Sequence, residues 1–262
     1  MDYFSLLVIA AVLVIVVWAS RTFAHIAMPD DLPQLDRPVI TVGLISLCTG
    51  IFFAQVFANV NIISEYGTVP AAITGTIPTD SPLAELGLTR AHGLLTLLTG
   101  NFLHSGIFHL AGNMLFLWIF GRHFDDLMEW PVYLGFVIVC AVASSLAFVL
   151  FNPHAAYPSV GASGFVAGLM GAYLTLFPKA KLYQYLRVPF TMQPVTIALP
   201  AWVYLLFWIG EQIYLAYRYT GERGGVDFAA HIGGFLTGAA LGWTLDRIGL
   251  IASYAPDTAK VA

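Results

Sequence analysis

Three apolar segments of this sequence each begin with side chains that could do chemistry. The first begins with His109 and Asn113, the second with Ser163, and the third with His231. A histidine can take the proton from a serine hydroxyl, which is otherwise a weak nucleophile. A second histidine, an asparagine amide and the backbone N–H of Ser163 are suitable hydrogen-bond donors for the oxyanion that forms during acyl transfer. These residue types therefore predict nucleophilic attack by Ser163 on a carbonyl group, with His231 as the base.

Each of these patterns also has an ordinary structural explanation. The sequence GASG at 161–164 is typical of helix packing, and the HxxxN spacing of His109 and Asn113 is typical of a helix cap or a satisfied polar pair. A histidine beside glycines, such as His231, often bonds a backbone carbonyl of the neighbouring helix. The joint occurrence of all three patterns favours a functional site, because polar side chains inside a bilayer are costly.

The composition assigns the chain to membrane proteins. Of its 262 residues 58% are apolar and only 10% are charged, whereas soluble domains carry about 25% charged residues. This composition excludes a disordered chain and a basic nucleic-acid binder. Cys48 and Cys140 lie in uncharged apolar runs, so we interpret them as buried hydrophobic residues and leave the redox compartment open.

The apolar runs predict an all-α bundle of seven transmembrane helices, since about 20 apolar residues cross a bilayer. Their approximate bounds are 3–20, 39–59, 108–121, 131–151, 161–177, 196–217 and 229–249. With the N-terminus outside, eight of the 11 lysines and arginines lie on the inner side, as the positive-inside rule requires. The third, fifth and seventh helices then enter from the outer face, so the side chains at their starts share one depth.

Small residues predict close packing of two of these helices. Gly234, Gly238 and Gly242 repeat at every fourth residue, and the helix at 161–177 carries Gly164, Ala167, Gly168 and Gly171. Such small-residue ridges allow two backbones to approach closely. We therefore assign Gly161, Gly164, Gly234 and Gly238 as structural supports of the predicted site.

These motifs resemble those of the rhomboid intramembrane serine proteases. The similar segments are HSGIFHLAGN (104–113), GASG (161–164) and AHIGGFLTG (230–238), within a region of resemblance at 38–249. The resemblance implies a six-helix core that opens to the extracytoplasmic side and a catalytic dyad of Ser163 and His231 without an acidic third member. It also implies that His109 and Asn113 stabilise the oxyanion.

The predicted organisation is one helix plus a six-helix core. Residues 1–37 hold the first helix and a cytoplasmic linker, residues 38–249 form the catalytic core, and residues 250–262 form a tail. Two positions depart from the commonest rhomboid pattern. His92-Gly93 stands where a Trp-Arg pair often anchors the outer loop, and Ala167 stands where an aromatic ring often supports the histidine. We expect the space beneath the His231 ring to be less filled as a result, unless Phe165 or an aromatic residue of the helix at 196–217 already fills it.

The predicted function is hydrolysis of peptide bonds in membrane-anchored substrates, near the outer face of a prokaryotic plasma membrane. The partners are transmembrane protein substrates and the lipid bilayer, with no nucleic acid, and the reaction needs no metal or other cofactor. A rhomboid-like pseudoenzyme that binds transmembrane partners is an alternative, but it would be expected to lack Ser163 or His231. A transporter would favour discontinuous helices, an internal repeat and an ion site at the midplane. Zinc and aspartyl intramembrane proteases are disfavoured, because the sequence has no HExxH motif and no aspartate pair within the spans.

Overall fold

The computed structural model describes residues 30, 32, 38–57, 62–187, 194–219 and 226–252. The predicted first helix at 3–20 lies outside the described residues. The same holds for most of the predicted linker and most of the C-terminal tail.

The described chain is built mainly from helices. In order they are α1 Val39–Phe57, α2 Ile62–Tyr66, α3 Pro70–Thr74, α4 Arg90–Thr99, α5 Ile107–Phe116, α6 Phe124–Leu127, α7 Trp130–Phe151, α8 Ser163–Leu176, α9 Ala201–Arg218 and α10 Phe228–Arg247. Short 3₁₀ turns cover Pro82–Leu86 and Gly100–Phe102, and a π-helical turn at Leu117–Gly121 continues α5. An antiparallel hairpin of β1 (Lys181–Arg187) and β2 (Pro194–Pro200) precedes α9.

Three helices among the described residues, α1, α7 and α10, are long and apolar enough to cross a membrane. The segment Arg90–Phe102 and the segment Ile107–Gly121 meet at a bend of 78° and would together make a fourth span. Helix α8 is apolar but has only 14 residues. The predicted count of seven spans is therefore not confirmed, although a helical membrane bundle is.

The prediction of a helix from 196 onward is wrong at its beginning. Residues 196–200 belong to β2, in which Leu199 pairs with Leu182 of β1, and the helix begins at Ala201. Two features of the sequence account for this. Val195, Thr196 and Ile197 are β-branched and favour a strand, and Pro200 has the extended backbone of a helix cap, with ψ 141°. The fold is thus mostly helical rather than all-α.

The close contact between α8 and α10 agrees with the prediction from the small residues. A side chain at Gly234 would collide with the carbonyl oxygen of Gly164, and one at Gly238 would collide with that of Gly168. One turn further on, a Cβ at Gly242 would lie 2.9 Å from Cα of Ala172. The two backbones therefore touch along three successive turns, which fixes the relative height of the residues at their N-terminal ends.

Candidate active site

A cavity of about 920 Å³ opens where α5, α8 and α10 begin. Its lining includes all four side chains that the sequence analysis selected, namely His109, Asn113, Ser163 and His231. The common depth predicted for the three helix starts is thus present in the fold. Ser163 is the first residue of α8, and His231 lies in the first turn of α10, one turn before the contact between Gly234 and Gly164.

Gly161 brings the loop before Ser163 against the side chains of α5. Its φ of +127° lies in a region that favours glycine. A Cβ at this position would stand 2.7 Å from both Cε1 and Nε2 of His109 and 3.4 Å from Nδ2 of Asn113. The backbone N–H of Gly161 donates to the carbonyl of Gly100 over 3.0 Å. Gly161 is therefore required both for the backbone conformation and for the close approach.

Asn113 supplies a hydrogen-bond donor that is not used within the described part of the chain. The residue is 8% exposed, and its Nδ2 has no hydrogen-bond partner among the described residues. Leaving such a buried donor unsatisfied costs about 1–3 kcal/mol. A substrate oxygen that bound to Nδ2 would remove this cost, so the amide is suited to a negative charge that develops in the cavity.

The His109 ring contacts two residues that come just before α5 in the chain. Its Nδ1 lies 3.0 Å from the hydroxyl of Ser105, and the ring packs edge-on against that of His104 with centroids 5.3 Å apart. The other ring nitrogen, Nε2, is the atom next to Gly161. This arrangement leaves Nε2 on the side of the ring that faces the loop before Ser163.

His231 is buried and makes two contacts with α9. Its Nδ1 lies 2.7 Å from Oε1 of Gln212, and its ring lies 5.8 Å from the ring of Trp208, centroid to centroid. The sequence analysis missed both residues. The spacing of Trp208 and Gln212, which puts them on one helix face, is the signal that could have indicated them. The neighbouring Glu211 is exposed.

Position 167, beside which the sequence predicts a less filled space, is closed to solvent. Ala167 is enclosed, with 1% of its surface exposed. An aromatic contact to the histidine is supplied instead by Trp208 on α9. The reason is that helix α9 packs beside α10 and delivers its own ring to the imidazole.

The second departure from the common rhomboid pattern, His92-Gly93, forms an anchor of its own. Nε2 of His92 lies 2.7 Å from the carbonyl oxygen of Glu65, and the His92 ring packs on that of Tyr66. A Cβ at Gly93 would lie 3.0 Å from Cγ1 of Ile73, so the missing side chain lets α4 approach α3. These contacts hold the outer segment without a Trp-Arg pair.

Asp227 connects the two sides of the cavity rim. One carboxylate oxygen accepts the N–H of Ala230 over 3.0 Å and caps α10, and the other accepts the hydroxyl of Ser159 over 2.7 Å. The backbone of Ser159 pairs in both directions with Thr68 over 2.9 Å. Burial raises the pKa of Asp227 to about 6. Because Ser159 lies on the loop that leads to Ser163, this contact ties that loop to the helix of His231.

Among the described residues, no group of three or more His, Cys, Asp and Glu side chains is placed to hold a metal ion. The arrangement defines a class of protein: a helical membrane bundle with a serine and a histidine on two tightly packed helices, beside an unpaired amide in one cavity. The chain belongs to the rhomboid family, because the Rhomboid domain model matches residues 91–248, which is more than half of its length.

Named relatives agree with this membership. The chain is 31% identical over 159 residues to Rhomboid protein 1, mitochondrial, of Saccharomyces cerevisiae, covering 58% of this chain and 42% of the relative. It is 30% identical over 146 residues to Presenilin-associated rhomboid-like protein A, mitochondrial, of Danio rerio, with 55% and 36% covered. It is 40% identical over 78 residues to Rhomboid protease GluP of Bacillus subtilis, with 30% and 15% covered.

The chain spans about half or less of the length of these relatives. Two of the three carry the word mitochondrial in their names. The prediction of a prokaryotic plasma membrane is therefore not supported, and the chain is described as an integral membrane protein of the rhomboid family.

Proposed function

We propose that this chain is an intramembrane serine endopeptidase that cleaves membrane-anchored protein substrates. The observation that carries the proposal is the meeting of Ser163, His231 and the unpaired Asn113 amide in one cavity at the helix starts. A family member named as a protease, GluP of Bacillus subtilis, supports the same reaction type. The substrates are transmembrane proteins in the surrounding lipid bilayer, whose chain has to unwind to reach the cavity.

The proposed reaction has two steps. As Oγ of Ser163 bonds to the scissile carbonyl carbon, Nε2 of His231 takes the hydroxyl proton, and the carbonyl oxygen becomes an oxyanion. Nδ2 of Asn113, Nε2 of His109 and the Ser163 backbone N–H stabilise that charge. The C–N bond then breaks as His231 returns the proton to the leaving amine. Water repeats the sequence on the acyl-enzyme and restores Ser163.

Labelling with a fluorophosphonate tests the nucleophile directly. We expect one covalent adduct, located on Ser163 by mass spectrometry, in the purified protein. Ser163→Ala and His231→Ala should each abolish cleavage of a transmembrane substrate, and the double variant should lose about as much as either single one. His154→Ala is the matched control, because His154 is an exposed loop residue. Labelling elsewhere, or full activity in either single variant, would refute the proposal and favour a binding role in the manner of a pseudoenzyme.

Oxyanion stabilisation is tested by His109→Ala and Asn113→Ala. We expect each change to lower kcat by roughly 10- to 1000-fold, the range set by the loss of one oxyanion donor. KM should change little, because these donors act on charge that exists only in the transition state. The opposite result, a raised KM with intact kcat, would move the two residues to substrate binding.

A further inference from the structure

Helix α9 holds the imidazole of His231 with two residues four positions apart. Trp208 packs its ring beside the imidazole, and Gln212 places Oε1 2.7 Å from Nδ1. Only 5% of Gln212 and 8% of His231 are exposed. Burying an amide costs free energy unless it is hydrogen-bonded. The hydrogen bond to His231 offsets this cost for Gln212.

The geometry determines which nitrogen of the ring carries the proton. An amide oxygen can only accept a hydrogen bond, so Nδ1 of His231 must be the N–H that donates to Oε1 of Gln212. In a neutral imidazole the other nitrogen, Nε2, then carries a lone pair. Nε2 is the atom that has to accept the proton of Ser163 in the proposed reaction.

We propose that Gln212 is a positioning residue, which keeps His231 in the tautomer that can act as a base and holds the ring in place. The role of His231 in this statement rests on the proposed function. Gln212 thus acts on His231 as the aspartate of a Ser-His-Asp triad acts on its histidine, but through a neutral amide instead of a carboxylate. Trp208 restrains the ring from another side and leaves Gln212 to fix its rotation.

Removing the acceptor should disturb catalysis more than folding. In Gln212→Leu the side chain has a similar size, but Nδ1 loses its partner and the ring is free to adopt the other tautomer. Loss of the correct tautomer costs about 10⁴-fold in a Ser-His-Asp triad, and misplacement on the order of 1 Å costs about 100-fold. We expect kcat of Gln212→Leu to fall roughly 10- to 1000-fold, with KM little changed.

A conservative variant and a neighbouring control separate positioning from packing. Gln212→Glu keeps an oxygen acceptor at the same distance, so kcat should recover to within about tenfold of the original. Glu211→Gln changes an exposed residue of the same helix and should leave kcat unaltered. An unchanged kcat in Gln212→Leu, or equal losses in Gln212→Leu and Gln212→Glu, would overturn the proposal.

Nitrogen-15 NMR of the histidine rings reads the tautomer without any need for activity. In Ser163→Ala protein, the His231 signals, assigned by their loss in His231→Ala, should show a protonated Nδ1. In Ser163→Ala with Gln212→Leu they should show a mixture of tautomers or a protonated Nε2. A protonated Nε2 with Gln212 intact would refute the assignment. If the protein cleaves no substrate but shows the protonated Nδ1, the proposed function fails while the positioning role of Gln212 stands.

Discussion

Alanine at position 161 tests whether the loop before Ser163 sets the geometry of the proposed oxyanion donors, His109 and Asn113. The change has two costs that can be worked out from the structure. Gly161 has φ +127°, and holding a residue with a side chain in such a conformation costs on the order of 1–3 kcal/mol. The added Cβ would also stand 2.7 Å from Cε1 and Nε2 of His109, although ordinary contacts begin at 3.4 Å.

The His109 ring, or the loop, must therefore retreat by about 0.7 Å to reach ordinary van der Waals contact. Because misplacement on the order of 1 Å costs about 100-fold in rate, we expect kcat of Gly161→Ala to fall by about 10- to 100-fold. The free energy of unfolding should drop by about 1–3 kcal/mol. If the variant is still folded under the assay conditions, the lower free energy of unfolding does not explain a fall in kcat of about 10- to 100-fold. The fall would then report the changed geometry of the site.

Turnover of a transmembrane substrate and thermal unfolding in micelles, measured on the same preparation, check this prediction. Gly112→Ala is the matched control, because Gly112 lies on α5 between His109 and Asn113 but has no atom within 4 Å of an added Cβ. It should keep full turnover and gain stability slightly from the better helix propensity of alanine. Equal turnover in Gly161→Ala and Gly112→Ala would refute the role assigned to the close approach.

Three further predictions follow from the fold. Ala167→Phe should overpack the core around the buried Ala167 and cost about 1–3 kcal/mol with slower turnover; faster turnover at unchanged stability would contradict this. Cys48 and Cys140 are buried and should not react with a thiol label. A cysteine that replaces exposed Asp80 should react from outside, and one that replaces exposed Lys179 should react only after permeabilisation. The reverse pattern would overturn the orientation predicted from the lysines and arginines. Burial raises the pKa of Asp227 to about 6, so its favourable contribution to folding is complete below about pH 4 and is lost as the pH rises through 6. The Tm should therefore fall from pH 5 to pH 8 in the original protein and stay flatter in Asp227→Asn.

The helices at the site were predictable because their signals are local. The predicted helix at 131–151 corresponds to Trp130–Phe151, and the one at 229–249 corresponds to Phe228–Arg247. The glycine repeat on α10 also predicted its close contact with α8, which carries a matching ridge of small residues. The predicted direction of each span placed Ser163 and His231 at the same end of the helix bundle. Both residues line the same cavity.

The hairpin before α9 was not predictable from apolar length. An uncharged run such as 194–209 is compatible with a helix or a strand, and periodicity does not separate the two. A strand forms here, because the residues between Pro194 and Pro200 include the β-branched Val195, Thr196 and Ile197 and the prolines lie at its two ends. A span count that treats every apolar run as a helix therefore places the start of α9 too early.

The supports of His231 were missed for a different reason. Their spacing puts Trp208 and Gln212 on one face of α9. That face meets the imidazole through the rotation of α9 about its own axis, which the spacing alone does not give. The same reasoning applies to the two departures from the common rhomboid pattern. At Ala167 the aromatic contact comes from Trp208, and at His92 the loop anchor is a bond to the Glu65 carbonyl. Each contact is made with a residue distant in sequence, so a changed support residue does not by itself predict that the support is missing.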